Sequence, residues 1–92
     1  MVIMKELKIV YTIKRYKDRI MAGMHHDLLK YYKEIDADVT TDFENHIITI
    51  TVRDKKRIEQ DLKDLRSLHG AGRKIISAFV KTEFFIDGKE AK

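Results

Sequence analysis

Residues 38–54, DVTTDFENHIITITVRD, decide how the rest of the chain is read. Val39, Thr41 and Phe43 alternate with polar neighbours, and Glu44-Asn45 supplies a turn. Ile48, Ile50 and Val52 then alternate with Thr49, Thr51 and Arg53. Period-two patterning in β-branched residues on both sides of an Asn-containing turn predicts a β-hairpin. Everything else must pack on one face of it.

Working outward toward the N-terminus, Leu7, Ile9, Tyr11 and Ile13 alternate with Lys8, Val10, Thr12 and Lys14, predicting a half-buried strand over 5–14. Lys14-Arg15-Tyr16-Lys17 breaks that pattern, and Asp18 is a suitable N-cap because its carboxylate can accept an orphan helical N–H. From Arg19 to Ile35 the period changes. Ile20, Met21, Met24, Leu28, Tyr31, Tyr32 and Ile35 recur at spacings of three and four and make one helical stripe. Gly23 lies inside that helix at a cost of about 1 kcal/mol against Ala, which suggests a place where another backbone approaches.

Working outward toward the C-terminus, Asp54 is placed to cap a second helix, with Ile58, Leu62, Leu65 and Leu68 as its apolar stripe. His69-Gly70-Ala71-Gly72 allows two readings. Glycine at a helix C-terminus relieves left-handed strain, so the helix ends there and Lys74 to Ile86 forms a fourth strand. Alternatively the helix runs through, continuing a near-heptad stripe by way of Ile76 and Phe79. Two glycines in a helix interior cost about 2 kcal/mol, which favours the break. Residues 87–92 read as a polar tail.

The order is β-α-β-β-α with a final β. It predicts an α+β, ferredoxin-like sandwich of one domain over 1–86, with two helices on one face of an antiparallel sheet. Ninety-two residues hold a single modest core, which dimerisation would help. Apolar content of 43% with 37% charge of mixed sign is globular rather than disordered. The absence of cysteine excludes disulfides, thiol catalysis and Cys-based zinc sites. The opening MVIMKELK is too short for a signal-peptide core, and no apolar run approaches the length that crosses a membrane. A cytoplasmic protein with no membrane contact is expected.

A net charge of +4 and a pI near 9.3 point weakly to polyanions, so placement matters more than total. With strands 1 and 3 expected adjacent and parallel at the sheet centre, two basic segments fall at one edge. They are Lys14, Arg15, Lys17 and Arg19 after strand 1, and Arg53, Lys55, Lys56 and Arg57 after strand 3. Two helix N-termini would add free N–H donors there. The expected function is a non-enzymatic module that binds nucleic-acid backbone as a homodimer, with RNA ahead of DNA only by analogy with other small α+β domains. The open sheet face carries Lys8, Val10, Thr12, Ile47, Thr49 and Thr51, without the aromatics on which RNA-recognition motifs stack bases. There is no GXXG loop, and base readout does not follow.

The alternative is a protein-interaction or assembly subunit of a larger complex, without nucleic-acid contact. Stacking of two open faces would give a homodimer, with Phe79, Phe84 and Phe85 adding contact area; for Phe79 or Phe84 alone, a core role is the simpler reading. No catalytic, cofactor or metal residues are assigned. His25 and His26 diverge by about 100° on a helix and cannot easily share a metal. Glu59, Asp61 and Asp64 alternate with Lys63 and Arg66 and read as a solvated face. Tyr31 and Tyr32 read as core and rim of the first helix. The segment Asp61-Leu62-Lys63-Asp64-Leu65-Arg66-Ser67, set in this element order, resembles a small dimeric subunit of a tRNA-modification complex. That resemblance covers one helix, and it implies a non-catalytic, dimerising subunit near tRNA.

Overall fold

A computed structural model describes residues 5–67 and 78–91. The chain is α+β, with two helices and a five-stranded antiparallel sheet. The elements are β1 (Leu7–Ile13), α1 (Lys17–Tyr31), β2 (Ala37–Asp42), β3 (Ile47–Val52), α2 (Lys55–Ser67), β4 (Val80–Ile86) and β5 (Lys89–Ala91). The sheet order is β2-β3-β1-β4-β5.

The hairpin forms where the alternation places it. Its turn is organised by Asp42, whose Oδ1 accepts from the amides of Glu44 and Asn45 at 3.1 Å each, while Oδ2 accepts from Asn45 Nδ2 at 2.8 Å. In register, Leu7 faces Val52 and Ile9 faces Ile50 across β1 and β3, and Ile9 faces Phe84 on β4. These residues share one sheet face. They form a single cluster with Met21 of α1 and with Ile58 and Leu62 of α2, so both helices cover the same side. Each such aliphatic side chain contributes roughly 1.5–3 kcal/mol by leaving water. Phe84 fills this core, whereas Phe85 alternates onto the open face.

Several boundaries differ from the sequence reading. Helix α1 begins at Lys17 and ends at Tyr31, and its N-cap is Tyr16 rather than Asp18, which lies in the first turn. Asp54 does cap α2: its Oδ1 accepts from the Arg57 amide at 2.9 Å. Among the described residues Gly23 serves no close approach, since a Cβ there would meet nothing within 4 Å. The Gly70–Gly72 break and residues 74–77 of the expected strand lie outside the described residues, but Ala78 and Phe79 are helical, so the expected strand from Lys74 is wrong at those two positions. From Val80 the chain is a strand, not a continued helix.

Residues 89–91 are not a tail but pair with β4. The two-residue connection is Asp87-Gly88, at φ 50° and 86°, the left-handed pair that a tight hairpin requires. Asp87 Oδ1 also accepts from the amides of Lys5 and Glu6 at 2.9 Å each, which ties the start of β1 to this turn.

Candidate nucleic-acid interface

The direction of β3 determines where the basic residues lie. The β1–α1–β2 crossover returns the chain so that β2 runs with β1, and the hairpin then reverses β3. β1 and β3 are therefore antiparallel, Leu7 facing Val52 and Thr12 facing Ile47. The expectation of parallel strands 1 and 3 is wrong, and with it the convergence of the two basic segments. Lys14, Arg15, Lys17 and Arg19 lie at one end of the sheet, and Arg53, Lys55, Lys56 and Arg57 at the other. At about 3.3 Å per residue along β1, the ends are roughly 20 Å apart. The two helix N-termini are separated in the same way.

At the β3–α2 end the two arginines are committed to the fold. Arg53 Nε lies 3.1 Å from Asp36 Oδ1, and its Nη2 lies 2.8 Å from Asp38 Oδ2. These contacts push the Arg53 pKa up, Asp38 having the larger effect. Arg57 donates from Nη2 to the Tyr31 carbonyl at 3.1 Å, and its guanidinium lies 3.8 Å above the centre of the Tyr31 ring. Lys55 and Lys56 are exposed in the first turn of α2, where Asp54 already caps the helix.

The β1–α1 end is different. Lys14, Arg15, Lys17 and Arg19 are all exposed. Among the described residues, no carboxylate lies within 4.0 Å of the cationic groups of Arg15, Lys17 or Arg19. Between them sits Tyr16, held at φ 51°, ψ 42° with no side-chain cap on the helix it begins. A left-handed backbone at a bulky residue costs roughly 1–2 kcal/mol. An N-cap without Ser, Thr, Asp or Asn forgoes about 1 kcal/mol more. Tyr16 as a residue is 69% exposed. It stacks on Phe79 with ring centres 5.9 Å apart and an angle of 27° between planes. The Lys14 amide donates to the Phe79 carbonyl at 2.7 Å, which fixes Phe79 against the end of β1. Asp18 points to the hairpin turn, its Oδ1 3.5 Å from His46 Nε2. The result is an exposed aromatic ring flanked by four cations at an uncapped helix start.

A second polar cluster lies between the helices, and the sequence reading placed it in solvent. Asp61 is only 5% exposed. Tyr32 donates its hydroxyl to Asp61 Oδ2 at 2.7 Å, and Arg57 Nε stands 3.5 Å from Asp61 Oδ1. Burial pushes the Asp61 pKa up, opposed by the Tyr32 hydrogen bond and the Arg57 charge. A hollow of about 180 Å³ opens beside it, lined by Tyr11, Tyr31, Tyr32, Asp61 and Asp64 among others. The signal was available, because Asp61 lies three residues after Ile58 and four before Leu65, inside the apolar stripe. Glu59 and Asp64 are exposed, in keeping with a solvated face.

Tyr11 contributes to the same cluster. Burial first, then the Asp61 charge, pushes its phenol up to about 12. The folded state therefore holds this proton more tightly than the unfolded chain does. The contribution is fully present below the ordinary phenol value of about 10 and is lost as pH rises through the folded value. Two units correspond to about 2–3 kcal/mol. Tyr11→Phe is expected to remove that share of the alkaline loss, as measured by denaturant unfolding of both proteins from roughly pH 9 to 12.

The described histidines do not converge. His25 Nδ1 is 2.7 Å from Thr41 Oγ1, and its ring meets Phe43 edge-on at 5.3 Å. His26 is exposed beside Asp27. Among the described residues, no group of three or more His, Cys, Asp or Glu side chains could hold a metal ion. Nor is any described helix long and apolar enough to cross a membrane. No protein-family model matches the chain, and no curated protein matches it.

Proposed function

We propose that the chain is a non-enzymatic module that binds the phosphate backbone of nucleic acid through its β1–α1 end. We read its scaffold as a ferredoxin-like sandwich. The order β4-β1-β3-β2 supports that reading, with β5 as an addition at the edge. The observation that carries the function is Tyr16, an exposed residue in a strained backbone conformation, flanked in the sequence by Lys14, Arg15, Lys17 and Arg19. Exposed cations of this kind neutralise phosphates and release condensed counterions. The site is smaller than two converged segments would make, so the affinity expected is modest. RNA stays ahead of DNA by analogy alone.

The test is binding of fluorescently labelled RNA and of a matching DNA duplex, titrated from about 50 to 200 mM salt. Four phosphate contacts predict affinity that falls with a logarithmic slope of about 3. No binding even at the lowest salt would sink the proposal.

A second reading is assembly, with the open sheet face as the contact. Val10, Ile47 and Phe85 are half-buried there, among Lys8, Thr12, Thr49 and Thr51, and no described element covers them. Under this reading two copies stack, or a larger complex covers the face, and the cations at the β1–α1 end are surface only. The same titration separates the readings, since assembly without nucleic-acid contact predicts no binding at any salt.

A further inference from the structure

Resting on that reading of the β1–α1 end, we propose that the site takes unpaired nucleotides, with one base stacked on the outward surface of the Tyr16 ring. Phe79 backs the ring at 5.9 Å and 27°, leaving Tyr16 69% exposed. The side chain is thus held in place without being buried. The left-handed φ of 51° and the missing side-chain cap are two departures from local preference at one residue. Such coincidences are expected where function rather than stability has set the residue. The flanking residues are all cations or, at Asp18, turned toward His46. On this proposal the phosphates of the strand meet cations that flank Tyr16 in the sequence, and one base reaches the ring.

Stacking requires a free π-face. In a duplex both faces of every interior base are already stacked on neighbours, so a ring at the protein surface gains little from it. An unpaired base has that face available, and any base will serve. The site therefore discriminates by strandedness and not by sequence. The sheet face that no described element covers adds nothing to this, because its one aromatic among the described residues, Phe85, sits on β4 toward the opposite end of the sheet.

The experiment uses three labelled probes of equal phosphate number: a single strand, the same backbone without bases, and a duplex. The expected result is that the single strand binds tightest. Tyr16→Ala weakens it about 10- to 100-fold, to the level of the baseless backbone. Its salt slope stays unchanged, because no phosphate contact is lost. Tyr16→Phe keeps the ring, the packing on Phe79 and the preference. Thermal melting of both variants verifies the fold. Equal binding of all three probes, with Tyr16→Ala unaffected, would overturn the stacking proposal and leave the backbone reading standing. Binding to none of them would overturn both.

Discussion

Asp61→Ala lowers the unfolding free energy by about 2–4 kcal/mol, a large share of the stability available to a domain of this size. The loss has two sources. The Tyr32 hydroxyl, now donating to Asp61 at 2.7 Å, is left in a buried position without an acceptor. Arg57 loses the only carboxylate within 4.0 Å among the described residues, and its Nε is already buried without a hydrogen-bond partner. Tyr32→Phe removes only the donor and costs about 1 kcal/mol. In the double variant the two losses do not add, because both report the same hydrogen bond. Denaturant unfolding of the four proteins measures this directly. A loss below about 0.5 kcal/mol for Asp61→Ala would show that the carboxylate behaves as a solvated surface group.

Charge reversal separates the two ends of the sheet. Arg15, Lys17 and Arg19 changed together to Glu remove three contacts and add three repulsions, so nucleic-acid affinity falls on the order of 100-fold at low salt. All three are exposed, so melting should move little. Lys55→Glu with Lys56→Glu, at the far end, should leave affinity within a few-fold. Arg57 is excluded from that control. Its guanidinium stacks on Tyr31 and reaches Asp61, and its loss would be read as a binding defect when it is a folding defect.

Much of this architecture was legible in the residues. The alternation of Ile48, Ile50 and Val52 specified which side chains face the core, and all three are fully buried. Asp54 was recognisable as a cap because it directly precedes the helix it begins. The direction of β3 relative to β1 was not carried by periodicity, which reports the face of a strand and never its sense. It follows instead from connectivity, a crossover and then a hairpin, and this undoes the single basic edge.

Other features were hidden for different reasons. The β4–β5 hairpin has an Asp-Gly turn signal, but Lys89-Glu90-Ala91 has low strand propensity, and pairing with β4 overrides it. Tyr16 showed only as a break in the pattern. Nothing local predicts a left-handed Tyr, and its partner Phe79 lies more than sixty residues away. Asp61 was hidden by its charged neighbours, although its helical position placed it in the apolar stripe.

The most direct measurement of the central claim is the salt slope of the two charge-reversed proteins, taken side by side with the unmodified chain on one single-stranded RNA. Arg15, Lys17 and Arg19 are expected to carry most of the slope of about 3, so that reversing them brings it close to zero. Reversing Lys55 and Lys56 leaves it intact. A slope that survives at the β1–α1 end and collapses at the β3–α2 end would contradict the account and move the interface to the opposite end of the sheet.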